Sequence, residues 1–147
     1  MKILIVENDP NKSSVVELFL LTELDISPEN VEIKRSFQSG LEAIIQNNYD
    51  LLLLDMSLPT FDITDFDDGG ETLDRGGEII LQEMERENIE IPSIILTQYE
   101  DFGGVSLSEI DEALFSEFPK IYLGCIYYNT SQTNWNKELK FKITQLL

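Results

Sequence analysis

The chain has 147 residues, of which 42% are hydrophobic, so it is long enough to fold as one domain around its own core. It carries 28 acidic and 10 basic residues, and the net charge of −18 disfavours direct binding to nucleic acid or to anionic membranes. It contains no histidine, which excludes a phosphohistidine carrier and any catalytic or metal-binding histidine in this sequence.

The single cysteine, Cys125, cannot form a disulfide within the chain, and it lies in an apolar run that is typical of a core residue. The first ten residues do not resemble a signal peptide. Apolar stretches stay well below the roughly 20 residues that span a bilayer. We therefore expect a cytoplasmic protein without a membrane segment.

Short apolar runs alternate along the chain with segments whose apolar residues recur at helical spacing. The predicted strands are residues 2–6, 31–36, 49–55, 91–97 and 121–128. The predicted helices are residues 13–24, a segment that includes 41–45, 78–87, 106–115 and 133–147. This order predicts one α/β domain over residues 1–147, a three-layer, doubly wound (βα)₅ sandwich with a parallel five-stranded sheet.

The third predicted strand has the most informative sequence, YDLLLLDMSLP at residues 49–59. Four leucines lead directly into Asp55, as expected for a strand that is buried on both faces and ends in a carboxylate. The carboxyl ends of parallel strands are where open α/β sheets bind their ligands. Polar residues also follow the first strand, at Glu7, Asn8 and Asp9, and Thr97 ends the fourth. A strand that simply ends on a polar residue is the alternative explanation for each.

Residues 60–77 interrupt this alternation with an acidic, glycine-rich insertion, TFDITDFDDGGETLDRGG. A calcium loop that began at Asp65 would need a glutamate at its twelfth position, where Gly76 stands. We therefore expect a solvated, mobile loop beside the carboxyl edge of the sheet.

In these segments the chain resembles the receiver domain of two-component response regulators, of the chemotaxis-receiver type. The resemblance rests on four motifs in order: KILIVENDP, YDLLLLDMSLP, GGEIILQEM and IPSIILT. It implies the flavodoxin-like strand order 2-1-3-4-5. It also implies that Asp55 accepts a phosphoryl group from the phosphohistidine of a sensor kinase or phosphotransfer protein, with Thr97 as the hydroxyl that contacts the attached phosphoryl.

The resemblance also implies a magnesium or manganese site. Its ligands would be Glu7, Asn8, Asp55 and the backbone carbonyl of Ser57, with Asp9 as a possible replacement for Asn8. Oxygen ligands of this kind suit a hard divalent cation. The family has an acid at the position of Asn8, so we expect the metal to bind weakly.

Two further positions differ from the family. Gln98 follows Thr97 where the family has a small residue, and this side chain would crowd the acceptor. The family's lysine at the end of the fifth strand is missing, since Tyr128 or Asn129 occupies its position. Lys120 lies at the opposite end of that strand and cannot replace it. We therefore expect the phosphoryl group to lose one charge-assisted contact.

These features favour a stand-alone phospho-accepting receiver, a signalling domain rather than an enzyme, that acts on a downstream protein. The alternative is a pseudo-receiver that binds proteins without being phosphorylated, which the three departures favour. A flavin carrier and a haloacid-dehalogenase-type phosphatase fit less well, because residues 7–10 are acidic and Ser57 stands where the phosphatase needs an acid. We expect a monomer or weak homodimer whose output surface includes the final helix, with Lys137, Lys140 and Lys142.

Overall fold

The computed structural model describes residues 1–131 and 134–147. In chain order its strands are β1 (Ile3–Val6), β2 (Val31–Lys34), β3 (Leu51–Leu54), β4 (Leu58–Pro59), β5 (Thr72–Leu73), β6 (Ser93–Thr97), β7 (Asp101–Phe102), β8 (Val105–Ser106) and β9 (Tyr122–Tyr127). The central sheet is parallel and has the order β2-β1-β3-β6-β9. Because β4, β5, β7 and β8 form separate hairpins, this is the predicted order of the five long strands, which is confirmed.

The helices are α1 (Pro10–Glu23), α2 (Phe37–Gln46), α3 (Gly76–Arg86), α4 (Leu107–Glu117) and α5 (Asn134–Thr144). Helix α1 begins three residues before its predicted start because the Asp9 side chain caps it and Pro10 suits the first helical position. Helix α2 begins at Phe37 because Ser36 caps it. The predicted start of the last helix, Thr133, lies outside the described residues.

The central strands are buried on both faces, as the leucine run predicts. Leu51 and Leu53 pack with residues of α1 and α5, whereas Leu52 and Leu54 pack with residues of α2, α3 and α4. Successive side chains of a strand point to opposite faces, so a continuous apolar run fills both layers of the core. The sandwich therefore fixes the carboxyl ends of β1, β3 and β6 side by side.

The insertion is a hairpin rather than the irregular loop that its composition predicts. Strands β4 and β5 pair antiparallel, and the pairing continues as Thr60 N donates to Glu71 O (3.0 Å) and Phe61 N to Gly69 O (2.9 Å). Asp62 Oδ1 accepts hydrogen bonds from Ser36 Oγ (2.6 Å) and Ser39 Oγ (2.8 Å) at the start of α2. Solvent exposure is as expected, because residues 61–68 are all exposed.

A second hairpin, β7–β8, follows β6 and precedes α4. Its turn is Gly103-Gly104, and both residues have positive φ angles, 66° and 89°. A two-residue turn of this kind requires residues that tolerate positive φ, and Gly-Gly is one of its sequence signatures. This hairpin is not among the elements predicted from the sequence. Together the two hairpins add polar and aromatic side chains at the carboxyl edge of the sheet.

Candidate functional site

The polar ends of β1, β3 and β6 lie side by side. Val6 pairs with Leu54, and Leu54 pairs with Ile95, so Glu7 and Asp55 each follow a paired position. Asp55 N donates to Val6 O at 3.0 Å, which continues the sheet pairing by one residue. The predicted convergence of these strand ends is confirmed.

The Asp55 carboxylate is almost completely buried, since only 6% of the residue is exposed. Its Oδ1 accepts a hydrogen bond from Met56 N at 2.8 Å. Burial raises the pKa of Asp55 from 3.8 to about 7, the Lys12 ammonium opposes this shift, and the neighbouring Glu7 carboxylate adds to it. Burial thus makes the Asp55 carboxyl easier to protonate than a carboxyl in water.

Lys12 is the residue of this site that the sequence analysis missed. Its side chain is 2% exposed, and its Nζ lies 2.6 Å from Glu7 Oε1 and 3.5 Å from Asp55 Oδ1. The same ammonium donates to the backbone carbonyl of Leu96 at 2.6 Å. Two buried carboxylates therefore share one buried ammonium, which leaves the cluster with an excess of negative charge when all three groups are ionised.

A signal for Lys12 was present in the sequence. Lys12, Val16 and Leu20 recur every four residues, so they lie on one face of α1, and all three are buried. A lysine on the apolar face of a helix is rarely left without a charged or hydrogen-bonding partner. The predicted acids at the carboxyl edge of the sheet were the available partners.

Glu7 and Asp9 are held by backbone contacts at the start of α1. Glu7 Oε2 accepts from Asp9 N at 3.0 Å, and Asp9 Oδ1 accepts from Asn11 N at 2.9 Å as the helix cap. Arg35 Nη1 donates to Glu7 O (3.1 Å) and to Ser13 Oγ (2.7 Å). These contacts fix the backbone of the acidic turn, and they give Asp9 a structural role besides its predicted one.

Thr97 is fully buried at the end of β6. Its Oγ1 accepts from Tyr99 N at 3.3 Å, and its carbonyl accepts from Tyr128 N at 2.7 Å. Gln98 is exposed and lines an open cleft of about 310 Å³ together with Tyr99, Tyr127, Tyr128, Asn129 and Thr130. The Gln98 side chain therefore lies at the surface of the site.

Asn8 and Ser57 are half-buried and border open clefts of about 440 Å³ and 400 Å³ respectively. Asn8 faces Asp62 and Ile63 of the insertion hairpin, and Ser57 faces Asp74. Directly between the two buried acids and α1 there is space of only about 10 Å³. The interior side of Asp55 is thus closed by Lys12.

Comparison with known proteins agrees with this architecture. No protein-family model matches the chain. It is 29% identical to the Detocs response regulatory protein DtcB of Enterobacter cloacae over 152 aligned residues. This alignment covers 99% of this chain and 100% of that protein. Among solved structures, a signal receiver domain of a LuxO repressor protein from Vibrio parahaemolyticus superposes with a TM-score of 0.66 at 16% identity, covering 99% of this chain and 88% of that one.

A second solved structure is the receiver domain of the sensor histidine kinase PA1611 from Pseudomonas aeruginosa, which has a magnesium ion in its active-site cleft. It gives a TM-score of 0.63 at 19% identity and covers 99% of this chain and 95% of that one. The chain has the receiver fold of response regulators.

The acidic cluster at the strand ends is small. The described residues contain no group of three or more histidine, cysteine, aspartate or glutamate side chains arranged to hold a metal ion. Glu7 and Asp55 are the two carboxylates nearest to Lys12, and Asp9 caps α1 instead. Any divalent cation here would depend on neutral oxygens for its other protein ligands.

Gly77 lies directly against the backbone of Asp55. It lies in the first turn of α3, and its amide donates to Met56 O at 2.9 Å. A Cβ at this position would lie 2.5 Å from the carbonyl oxygen of Asp55 and 3.0 Å from Ile95 Cδ1. A glycine is needed because the helix start lies directly against the backbone of Asp55.

Within residues 1–131 and 134–147, the helices are all too short or too polar to cross a bilayer.

Proposed function

We propose that this receiver accepts a phosphoryl group on Asp55 and signals through contacts with other proteins in the cytoplasm. The observation that carries the proposal is the position of the Asp55 carboxylate, which ends the central strand beside Glu7 and against the Lys12 ammonium. A carboxylate oxygen can act as a nucleophile toward phosphorus if nearby cations offset the repulsion between the two anions. The similarity of the fold to solved receiver domains supports the same role.

In the proposed reaction, an Asp55 carboxylate oxygen forms a bond to phosphorus while the phosphorus–nitrogen bond of a partner's phosphohistidine breaks. The electron pair of that bond stays on the partner's imidazole. Lys12 offsets negative charge at Asp55, and Met56 N orients the acceptor through its 2.8 Å hydrogen bond to Oδ1. Thr97 is the proposed hydroxyl that contacts the attached phosphoryl, and it would have to exchange its hydrogen bond from Tyr99 N.

The donor set fits a divalent cation, because it consists of oxygens and its two carboxylates outnumber the one ammonium. The proposed ligands are Glu7, Asp55, Asn8 and the Ser57 carbonyl, with Asp9 available only if it leaves its capping position. Bound Mg²⁺ or Mn²⁺ would offset the negative charge of the phosphoryl group. Because Lys12 already pairs with Glu7, and Asn8 is neutral, we propose that the cation binds weakly.

The proposed donor is a sensor histidine kinase or a phosphotransfer protein, and the proposed output is a protein target. The surface of α4, β9 and α5 is continuous: a Cβ at Gly124 would lie 3.4 Å from Phe115 Cζ and 2.8 Å from Lys142 Nζ. Lys142 donates to Leu123 O at 3.0 Å, whereas Lys137 and Lys140 are exposed. We propose that the protein target docks on this surface. We also propose that the protein is a monomer or weak homodimer.

A pseudo-receiver that binds proteins without being phosphorylated is the second candidate. The 6% exposure of Asp55 and its buried contact with Lys12 favour it, because both reduce access to the carboxylate. The two functions differ in one measurable property, the formation of an acyl phosphate.

The experiment is incubation of the protein with acetyl phosphate and Mg²⁺, followed by intact-mass analysis. We expect a gain of one phosphoryl group that is lost on treatment with hydroxylamine, and no gain in the Asp55→Asn variant. Asp65→Asn, in the exposed part of the insertion, is the matched control and should be phosphorylated like the original protein. If the original protein gains no phosphoryl group under any tested Mg²⁺ concentration, the pseudo-receiver is the better description.

A further inference from the structure

The end of strand β9 carries no cation in this receiver. Tyr127 pairs with Thr97, and Tyr128 N donates to the Thr97 carbonyl, so Tyr128 stands beside the end of β6. Tyr128 is buried and packs against Trp135, with ring centroids 5.1 Å apart. The sequence resemblance implies a lysine at this position or the next, and the chain has Tyr128 and Asn129 there.

The Lys12 ammonium occupies the space next to that ring. Its Nζ lies 5.6 Å from the centroid of the Tyr128 ring, within the range of a cation–π contact. It also reaches Leu96 O on β6, directly before Thr97, although 84 residues separate Lys12 from Leu96. Lys12 therefore crosses from α1 to the β6 and β9 side of the acceptor.

We propose that Lys12 is the positioning cation of this site, supplying from α1 the positive charge that the end of β9 lacks. The proposal rests on the proposed phosphorylation of Asp55 and adds the residue that holds a positive charge beside the carboxylate. A lysine at residue 128 would start next to the Lys12 ammonium, because the Tyr128 ring centroid lies 5.6 Å from Lys12 Nζ. With a lysine on α1 instead of one at the end of β9, one ammonium still lies beside Asp55.

The contacts of Lys12 divide into anchoring and adjustable ones. Leu96 O and Glu7 Oε1 each lie 2.6 Å from Nζ, whereas Asp55 Oδ1 lies at 3.5 Å. The short contacts hold the ammonium in place without any contribution from Asp55. Asp55 can then gain a phosphoryl group while the ammonium stays fixed, which leaves its third N–H directed to the acceptor side.

The experiment compares Lys12→Met, the double variant Lys12→Met/Tyr128→Lys, and Lys120→Met as the matched control at the opposite end of β9. Beryllofluoride is the phosphoryl mimic, and Trp135 fluorescence is the readout because Trp135 packs against Tyr128. We expect Lys12→Met to weaken beryllofluoride binding by roughly tenfold to a hundredfold, the range of one charge-assisted contact. The double variant should recover most of this loss, and Lys120→Met should bind normally.

A Lys12→Met protein that binds beryllofluoride as tightly as the original overturns the proposal, as does a double variant that recovers nothing. If the original protein neither binds beryllofluoride nor forms an acyl phosphate, the proposed function fails. The placement of the positive charge is then tested separately, by measuring the stability of the variants. In denaturant unfolding, Tyr128→Lys should stabilise Lys12→Met and destabilise the original protein. Should Lys12→Met fail to fold, restored folding in the double variant supports the proposal, and a double variant that stays unfolded overturns it.

Discussion

The pKa of Asp55 depends on burial and on a few neighbouring charges. Its carboxylate loses hydration through burial, and this outweighs the attraction of an ammonium 3.5 Å away because that ammonium is shared with Glu7. Removing one partner of a buried ion cluster usually costs more than the cluster contributes. Replacing Lys12 should therefore harm the protein more than neutralising Asp55.

The first prediction concerns Asp55→Asn and pH. The pKa of Asp55 is about 7 in the folded protein and near 3.8 unfolded, so the folded state holds this proton more tightly. The contribution of Asp55 to the free energy of unfolding is therefore largest below pH 4, falls as the pH rises from about 4 to about 7, and is constant above about pH 7. We expect Asp55→Asn to remove this fall and to be the more stable protein at pH 8, on the order of a few kcal/mol.

Denaturant unfolding between pH 4 and pH 8 measures this difference. The control is Asp65→Asn, which neutralises an exposed acid and should keep the pH dependence of the original protein. A destabilised Asp55→Asn protein at pH 8 would mean that the carboxylate is needed as the partner of Lys12.

At the scale of elements, the two hairpins change the surroundings of the receiver site. The insertion hairpin contacts α2 through Asp62 and borders the cleft that contains Asn8, and the β7–β8 hairpin borders the cleft at Ser57. Three apolar side chains of the insertion are exposed, Phe61, Ile63 and Phe66, and Phe66 is 99% exposed. The hairpin is thus attached at its base and along one side, and its tip projects into solvent.

The second prediction concerns the attachment of this hairpin. Asp62→Ala removes the acceptor of two hydrogen bonds, from Ser36 Oγ and Ser39 Oγ. Each such bond is worth about 1 kcal/mol, and bonds to a charged group are worth more. We expect faster amide hydrogen exchange at Phe61 and Thr64, whose amides bond within the hairpin, while exchange in the central sheet stays unchanged.

Hydrogen-exchange mass spectrometry or NMR resolves these amides. Asp65→Ala removes a neighbouring exposed carboxylate of the same hairpin and should leave their exchange rates as they are. Equal protection of Phe61 in the Asp62→Ala and original proteins would show that the β4–β5 pairing alone holds the hairpin.

At the scale of the whole molecule, the charge of −18 acts against the compact state. Like charges on a small domain repel one another, and dissolved salt screens this repulsion with a Debye length of about 10 Å at 0.1 M. The same field favours cations and basic protein surfaces as partners. Mg²⁺ would act by general screening and, if the proposed metal site is present, also by binding at Glu7 and Asp55.

The third prediction separates these two actions. We expect NaCl to raise the melting temperature of every variant, and Mg²⁺ at matched ionic strength to raise it further only in the original protein, by mass action. Glu7→Gln and Asp55→Asn should lose the additional increment. Thermal unfolding followed by circular dichroism measures both effects, and an equal Mg²⁺ increment in all three proteins would argue against a metal site at these residues.

Much of the fold and part of the site could be predicted because the relevant signals are local. The leucines of residues 51–54 predict a strand buried on both faces, and the alternation of strands and helices predicts a parallel sheet. In a parallel sheet the carboxyl ends share one edge, so the proximity of Glu7, Asp55 and Thr97 follows from their positions at strand ends. The proposed metal ligands remain predictions.

Other features depended on tertiary packing. Near β9 the sequence offers only Lys120 as a replacement lysine, and Lys120 lies at the wrong end of the strand. The ammonium comes instead from Lys12, whose side chain reaches Leu96 only because α1 packs across the sheet. The acidic, glycine-rich composition of the insertion predicts a solvated loop, yet Asp62 accepts hydrogen bonds from two serines more than twenty residues earlier in the chain. The spacing of Lys12 with Val16 and Leu20 places Lys12 on the buried face of α1, but no spacing identifies Leu96 or the two serines as contact partners.

The sequence by itself thus determined which residues stand at the active edge of the sheet, since strand periodicity and strand order are encoded over short distances. Only the tertiary structure decided how the charges at that edge are balanced. The reason is that the rotation of α1 about its axis, and so the direction of Lys12, is set by the packing of Val16 and Leu20 against the sheet. Charge balance at a buried site is a property of side chains from distant segments, and it exists only once the core has formed.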